Sequence, residues 1–435
     1  MWLKSNLLKE LCADAMSHSI PLELYINETS LHIWRASAKI TIQDSLINWA
    51  SEQNCFPKII FQHGSSKNSH LALGSVFSIE EFPHIRTGKN PYGFMPKLYG
   101  GVGNKVVYGQ LSIWKNFPRT FFFLPEIEIE TVKGQSFIYL YFLNTKKFNK
   151  KGIIQKLSKL KENTHTKDSM APTLIKRQDF PSPLEWNKAI ESLLQSISLR
   201  KLEKAVLARQ SSFAYQEPLS PSYFLERLQT ISNGTLFCIQ FSPLTNFIGS
   251  TPELLYSRIE NNLEVMALAG TASLPQIWHL QREKEQNEFG FVKGFVYETM
   301  KTLCRTIHSS FDITYPIASL VHLCRIYRGK LFPLIKDLEI LTRLHPTPAI
   351  SGFPRTVAAH YLEKIEGFDR GWYASPIGYI SEKESRFYIA IRSALITENT
   401  LHLFSGAGIV QGSLAEKEWI ELDKKIRHFV NICEI

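Results

Sequence analysis

The spacing of apolar positions changes several times along the chain, and each change marks an element. In EWNKAIESLLQSIS, Trp186, Ile190, Leu193, Leu194 and Ile197 fall at i, i+4, i+7, i+8 and i+11, the stripe of an amphipathic helix. KAVLARQS directly afterwards alternates and predicts a strand with Lys204, Val206 and Ala208 on one face. FCIQF, FIGSTPELLYSRIE and LEVMALAG read as further strands joined by short turns, and NEFGFVKGFVYETMKTLCRTI reads as a long helix. RFYIAIRSALI and LHLFSGAGIV flank the polar triplet Glu398, Asn399 and Thr400, a hairpin signature. A register centred on Asn399 sets Arg392 opposite Gly406.

Residues 1–165 mix short β-like runs (LYINETSLHIWRAS, KIIFQHG, SFIYLYFLN) with turn residues. They hold no constellation to which chemistry attaches and read as scaffold. The polar stretch ENTHTKDSMAPT closes this part, and the region 175–435 carries the remaining motifs. No internal repeat or low-complexity tract interrupts either.

Composition narrows the classes. The 435 residues, 44% apolar and 12% aromatic, suffice for one large core or two to three ordinary ones. No apolar run reaches the roughly 18–20 residues of a membrane span, and Met1 to Ile20 lacks the basic and apolar regions of a signal peptide. The expectation is a cytoplasmic chain without a membrane partner. Cys12, Cys55, Cys238, Cys304, Cys324 and Cys433 lie far apart with no C-x-x-C pair, against a disulfide framework or zinc cluster. Much of the net charge of +10 sits in KKFNKKGIIQKLSKLKENTHTK, where Lys146, Lys147, Lys150, Lys151, Lys156, Lys159, Lys161 and Lys167 face only Glu162. Ile153, Ile154, Leu157 and Leu160 recur among them at helical spacing, so the segment reads as a solvated amphipathic helix leading into a linker. No nucleic-acid motif accompanies it, and no nucleic-acid partner is expected.

Two acid pairs share one spacing: Glu285 with Glu288, and Glu418 with Glu421. At i and i+3 on a helix such acids repel unless a cation lies between them. Either pair alone reads as a solvated face. Four carboxylates converging from two helices would suit a hard divalent cation, most simply Mg²⁺. Gly406 and Gly408, just before the second pair, allow a ligand close to the backbone. Lys204 sits inside an apolar strand, either facing outward or, if inward, losing water so that a neutral amine becomes available as a general base. Ser250-x-x-Glu253 matches a capping box, while Glu253 beside Pro252 and Leu254 could instead be a buried proton donor.

Taken together, KAVLAR, STPELL, ALAGTA, LHPTPAISGFPR and SGAGIVQGSLAEKEW occur in the order of the chorismate-binding enzymes, which the region from about 175 to 430 resembles. That family includes anthranilate synthase component I, aminodeoxychorismate synthase component I, salicylate synthase and isochorismate synthase. The resemblance implies an α+β fold of the anthranilate synthase component I type: large antiparallel β-sheets packed together, helices outside, and a first third that completes the sheets as part of one unit. It implies Mg²⁺-dependent isomerisation of chorismate to isochorismate, with salicylate synthesis as the alternative. Ammonia-using members carry glutamine where this chain has Lys204, so the resemblance makes Lys204 the activator of water and implies no amidotransferase subunit and a monomer. By the same resemblance Glu253 is the general acid, Glu288 and Glu421 bind Mg²⁺ directly, and Glu285 and Glu418 act through its waters. Arg392 and Tyr373 would hold the enolpyruvyl carboxylate, Thr271 with Gly408 the ring carboxylate, His345 would line the site, and Gly406 is a further substrate-binding position. The chain departs from the family at Phe289, where a histidine is usual, and at ASLPQ after ALAGT.

Overall fold

The computed structural model describes residues 5–42, 45–64, 68–90, 92–104, 112–144, 150–161, 171–317 and 320–433. Two sheets meet in the strand Thr120–Val132, whose alternating TFFFLPEIEIETV buries residues on both faces. One edge pairs with Ser69–Ile79 along most of its length. The other is shared, Ile127–Val132 pairing with Gln135–Leu143 and Thr120–Phe123 with Leu98–Val102. The register against Ser69–Ile79 shifts between Ser75 and Phe77, across from Pro125, a residue with no N–H to give to a ladder.

From this junction the first sheet runs through Ser69–Ile79, Lys58–Gln62, Thr235–Ser242, Thr245–Thr251, Ser393–Thr397 and Thr400–Ile409 to Lys204–Tyr215. The second runs from Leu98–Val102 through Pro376–Ile380, Glu384–Ile389, Leu254–Ile259 and Asn262–Ser273 to Leu320–Leu331. Every pairing named here is antiparallel. Strands of the first third therefore pair with strands of the remainder in both sheets, and the chain forms one α+β sandwich with helices outside.

The core has three parts. Phe61, Phe237, Phe247 and Phe404 of the first sheet meet Tyr256, Ile377, Tyr379 and Phe387 of the second, in a cluster that extends to Phe289, Val292, Val296 and Met300 of the helix Glu283–Leu303. The outer face of the first sheet is covered by the helices Ser5–Ser17, Leu46–Ser51, Pro221–Ile231 and the C-terminal Ala415–Cys433. Trp186, Ile190, Leu193 and Ile197 of the helix Pro183–Ser198 pack on Ala205, Leu207, Ala407 and Ile409.

Several expectations are corrected. The apolar run RFYIAIRSALI is two strands in different sheets, and the chain crosses between them at Ala390–Arg392, where Arg392 has φ +54°. Continuous hydrophobicity hides such a crossing because both sheets bury what they receive. The hairpin turn has two residues rather than three: Thr397 pairs with Thr400, Glu398 takes φ +52°, and Ala394 faces Leu403. The register is thus one residue short of that centred on Asn399, and Arg392 lies beyond the ladder rather than opposite Gly406. The long helix starts earlier and ends at Leu303, and Cys304–Ser309 continues as a strand. Ser250 belongs to the strand Thr245–Thr251, so no capping box forms there. In the basic segment the helix Lys150–Leu157 is only partly a solvated face: Lys156 is buried, and Lys156 and Lys159 each stand 2.8 Å from Glu126. Lys146, Lys147, Glu162 and Lys167 lie outside the described residues. No helix among the described residues is long and apolar enough to cross a membrane.

Gly378 faces Gly100 where first-third and C-terminal strands of the second sheet pair. A methyl at Gly378 would overlap the Arg386 carbonyl, whereas Gly290 on the helix Glu283–Leu303 has nothing within 4 Å of such a methyl. Gly378→Ala should therefore cost about 1–3 kcal/mol, and Gly290→Ala should add up to about 1 kcal/mol. Opposite shifts of the urea midpoint at unchanged slope check both; a neutral Gly378→Ala contradicts the tight pairing.

Candidate active site

The strand Lys204–Tyr215 and its neighbour Thr400–Ile409 build one wall. Their register places Gly408 opposite Val206 and Gly406 opposite Ala208, and the face bearing Lys204, Val206 and Ala208 turns into the sandwich. Lys204 is fully buried, with Nζ 2.9 Å from Glu288 Oε1. A Cβ at residue 408 would meet Glu288 Oε1 and stand 3.0 Å from Lys204 Cε, so any larger residue would push the carboxylate away from the lysine.

The second wall is made where the chain changes sheet. Glu253 lies between Thr245–Thr251 of the first sheet and Leu254–Ile259 of the second, and Arg392 lies on the reverse crossing. The two crossings are tied together: Ile389 N–H donates to Glu253 O at 3.1 Å and Ser250 N–H to Arg392 O at 3.1 Å. Glu253 is buried, and burial pushes its carboxyl up to about 8 against the opposing pull of Lys204. Burial brings the Arg392 guanidinium down to about 10; its Nη1 donates to Lys425 O at 3.1 Å, and no ion pair is formed by it among the described residues.

Between these walls is a cavity of about 90 Å³, lined by Glu253, Thr271, Glu288, Tyr373, Arg392 and Gly406 among others. Tyr373 is buried, stacks on Phe404 at 5.2 Å, and has its phenol pushed up to about 12 by burial. An adjoining chamber of about 440 Å³ shares Thr271 and Lys425 with the cavity and is lined by Glu285, Glu418 and Glu421. A larger groove of about 1370 Å³ runs outside along the helix Glu283–Leu303 and touches the chamber's lining at Lys284.

The four acids are brought to these two spaces: Glu285 and Glu288 are divided between chamber and cavity, while Glu418 and Glu421 stay together in the chamber. Glu288 turns to Lys204. Lys284 Nζ sits 2.7 Å from Glu418 Oε1 and 3.7 Å from Glu421 Oε2, and Lys425 stands 2.7 Å from Glu421 Oε1. The cation that the spacing of Glu418 and Glu421 demands is thus, in this structure, a lysine ammonium from the neighbouring helix. Burial alone would raise Glu421, but Lys425 and Lys284 hold it down to about 2. Burial raises Glu418 and Glu285, and each keeps one buried oxygen without a hydrogen-bond partner. Among the described residues no three His, Cys, Asp or Glu side chains are drawn together as a metal cage.

His345 is not among the residues lining the cavity or the chamber; it ends the helix Asp337–Leu344 beside Arg355 and Arg370. The histidine that does line the cavity is His322, which sequence reasoning missed. It lies in the strand Leu320–Leu331 opposite Thr271, with Nδ1 3.2 Å from Gly270 O and 3.1 Å from Thr271 Oγ1. Burial and then Arg392 lower it to about 3, so it is neutral, with Nε2 buried and unpartnered. Only its cross-strand partnership with Thr271 could have singled it out. Lys425 was also missed, although its spacing of i+4 from Glu421 was visible.

A family model described as chorismate binding enzyme matches residues 80–434. The chain is 28% identical to the isochorismate synthase MenF of Haemophilus influenzae over 99% of both chains. It is 30% identical to the chloroplastic isochorismate synthase 2 of Arabidopsis thaliana, over 86% of this chain and 72% of that one. The solved menaquinone-specific isochorismate synthase of Escherichia coli superposes with a TM-score of 0.82 at 23% identity, covering 99% of each chain. Anthranilate synthase component I of Streptococcus pneumoniae superposes at 0.68 with 18% identity, covering 83% and 91%. A match that spans most of the chain, and takes in both sheet crossings and both acid pairs, makes this protein an enzyme of the chorismate-binding family.

Proposed function

We propose that this enzyme isomerises chorismate to isochorismate, the activity named for its relatives from Haemophilus influenzae and Arabidopsis thaliana. The observation that carries the reading is a small cavity walled by Glu253, whose carboxyl burial keeps protonated to about pH 8, with fully buried Lys204 directly behind its lining residue Glu288, Nζ 2.9 Å from Oε1. Water attacks ring carbon C2, the double bonds shift, and the C4 hydroxyl departs. Lys204 takes the proton of the attacking water, and Glu253, whose carboxyl burial keeps protonated near neutrality, gives one to the leaving oxygen. Lys204 Nζ stands 2.9 Å from Glu288 Oε1. Arg392, which forms no ion pair among the described residues, and Tyr373 would take the enolpyruvyl carboxylate. The cavity of about 90 Å³ is small, and the adjoining chamber past Thr271 and Lys425 would give the substrate further room.

Mg²⁺ belongs to the proposal, and the donor set suits it. The site offers four carboxylates, two with unpartnered buried oxygens, and an ammonium already lies between Glu418 and Glu421. Glu288 and Glu421 would hold the ion, with Glu285 and Glu418 acting through its waters. When bound it would offset the negative charge of the ring carboxylate. The enzyme is read as a single cytoplasmic chain acting without an amidotransferase.

Incubation with chorismate and Mg²⁺ should yield isochorismate without pyruvate, and EDTA should abolish turnover until Mg²⁺ is restored; full activity in excess EDTA removes the ion from the reading. Lys204→Gln should lower kcat on the order of 10² to 10⁴-fold while the folded variant still binds chorismate. Near-normal turnover by that variant would transfer the base role to another group.

Glu253 gives a pH test with a definite sign. Its folded pKa of about 8 lies above the ordinary 4.5, so between those values the folded state binds more protons than the unfolded one. The contribution of Glu253 to stability is full below about 4.5 and is lost as pH rises through about 8. The melting temperature of Glu253→Gln minus that of the wild type should climb across this window and level off above it. A flat difference would show that the carboxyl is ionised in the folded protein.

A further inference from the structure

The strand Lys204–Tyr215 is paired with Thr400–Ile409 along one edge, but its other edge is interrupted. Gly352–Phe353 pairs only with Lys204 and Ala205, and Leu174–Phe180 takes up pairing at Gln210. Val206 to Arg209 have no strand beside them there, and each backbone polar group left unpaired at this depth would cost about 1–3 kcal/mol. Other groups fill the gap. Val206 N–H donates to Ser351 O at 2.8 Å, Arg370 Nη2 donates to Val206 O at 2.7 Å, and Ala208 N–H donates to Glu366 Oε1 at 2.9 Å. Arg370 and Glu366 are ion-paired by two bonds, Nε to Oε2 at 2.7 Å and Nη2 to Oε1. The remaining donor, Nη1, reaches Ile350 O at 2.8 Å. One carboxylate and one guanidinium stand in for a missing length of strand.

Neither side chain lines the cavity, yet two of the three residues whose backbone they hold, Val206 and Ile350, do, and Ala208 does not. Val206, Ile350 and Tyr373 line it, Lys204 is two residues from Val206, and Tyr373 N–H donates to Arg370 O at 2.8 Å. A planar fork can serve carbonyls converging from two segments, which the evenly directed edge of a strand cannot, so the loop at Ile350 is free to approach the cavity. We infer that the Glu366–Arg370 pair is a positioning device that fixes Lys204 relative to Tyr373, holding the strand of Lys204 through the backbone of Val206 and Ala208 and Tyr373 through the main-chain carbonyl of Arg370.

The kinetic part of the test rests on the reading of chorismate isomerisation; the exchange part does not. Arg370→Ala should reduce kcat on the order of 10²-fold, the scale of an ångström-sized displacement, with KM changed less than about threefold and the pH profile of kcat displaced. Arg370→Lys, which keeps the charge but loses the fork, should recover part of the loss, and Glu366→Gln should resemble it. In hydrogen–deuterium exchange the segment Val206–Arg209 should speed up in all three variants, while Gln210–Phe213, paired on both sides, should not. Unchanged exchange at Val206–Arg209, or a lowered melting temperature with kcat and pH profile intact, would reduce the pair to an ordinary buried ion pair. Should Arg370→Ala fail to fold, the Lys and Gln variants decide by the same measurements. If the wild type forms no isochorismate, the functional reading has failed, and exchange still decides whether the pair holds the strand.

Discussion

One backbone ladder, ten residue pairs between Lys204–Tyr215 and Thr400–Ile409, sets the position of everything at the site. Side chains alternate along a strand, so a slip of one residue would turn Lys204 out of the sandwich toward Trp186 and Leu422 and exchange glycine for alanine beneath it. The correct register leaves Gly408 under the Lys204–Glu288 pair and Gly406 beside the Tyr373 hydroxyl. Glu253 and Arg392 then come from two tied crossings between sheets, positions rigid enough to hold a buried acid and a half-buried cation in one place.

Charge is handled by a second constraint. Lysines face carboxylates at each step, Lys204 with Glu288, Lys284 with Glu418 and Lys425 with Glu421. Arg392 has no such partner among the described residues, which on the proposed reading leaves it to the substrate's carboxylate. This is economical for a dianionic substrate: the fold stores its cations already desolvated, and binding exchanges one set of partners for another rather than stripping water from bare charges.

Much of this was legible in the sequence, for definable reasons. The helix at Trp186–Ile197 and the strand at Lys204 announce themselves by period, and motif order identifies the family. The alternation that put Lys204, Val206 and Ala208 on one face did not say which face was inside; the glycines opposite settle that. Three things were not legible. The break at Ala390–Arg392 lies within an unbroken apolar run, His322 belongs to the site only through a partner some fifty positions away, and Lys284 becomes a counter-ion only when two helices are brought together. Each depends on cross-chain pairing, which local pattern does not contain. The hairpin register missed by one residue because a positive φ at Glu398 permits a tighter turn than its polar triplet suggested.

The strand Thr120–Val132, which belongs to both sheets, also dictates how the chain must come together. Its edge partner Leu98–Val102 is completed by residues about 280 positions later, where Gly100 meets Gly378, and Lys58–Gln62 waits for Thr235–Ser242. Such distant pairings bring their reward only after long loops have closed, which makes for a slow folding reaction of high contact order. During synthesis the first third emerges with open sheet edges that nothing nearby can cover. Thr235–Ser242 follows only past the middle of the chain and Pro376–Ile380 only when translation is nearly finished, so a chain stopped early presents sticky strand edges rather than a smaller working domain.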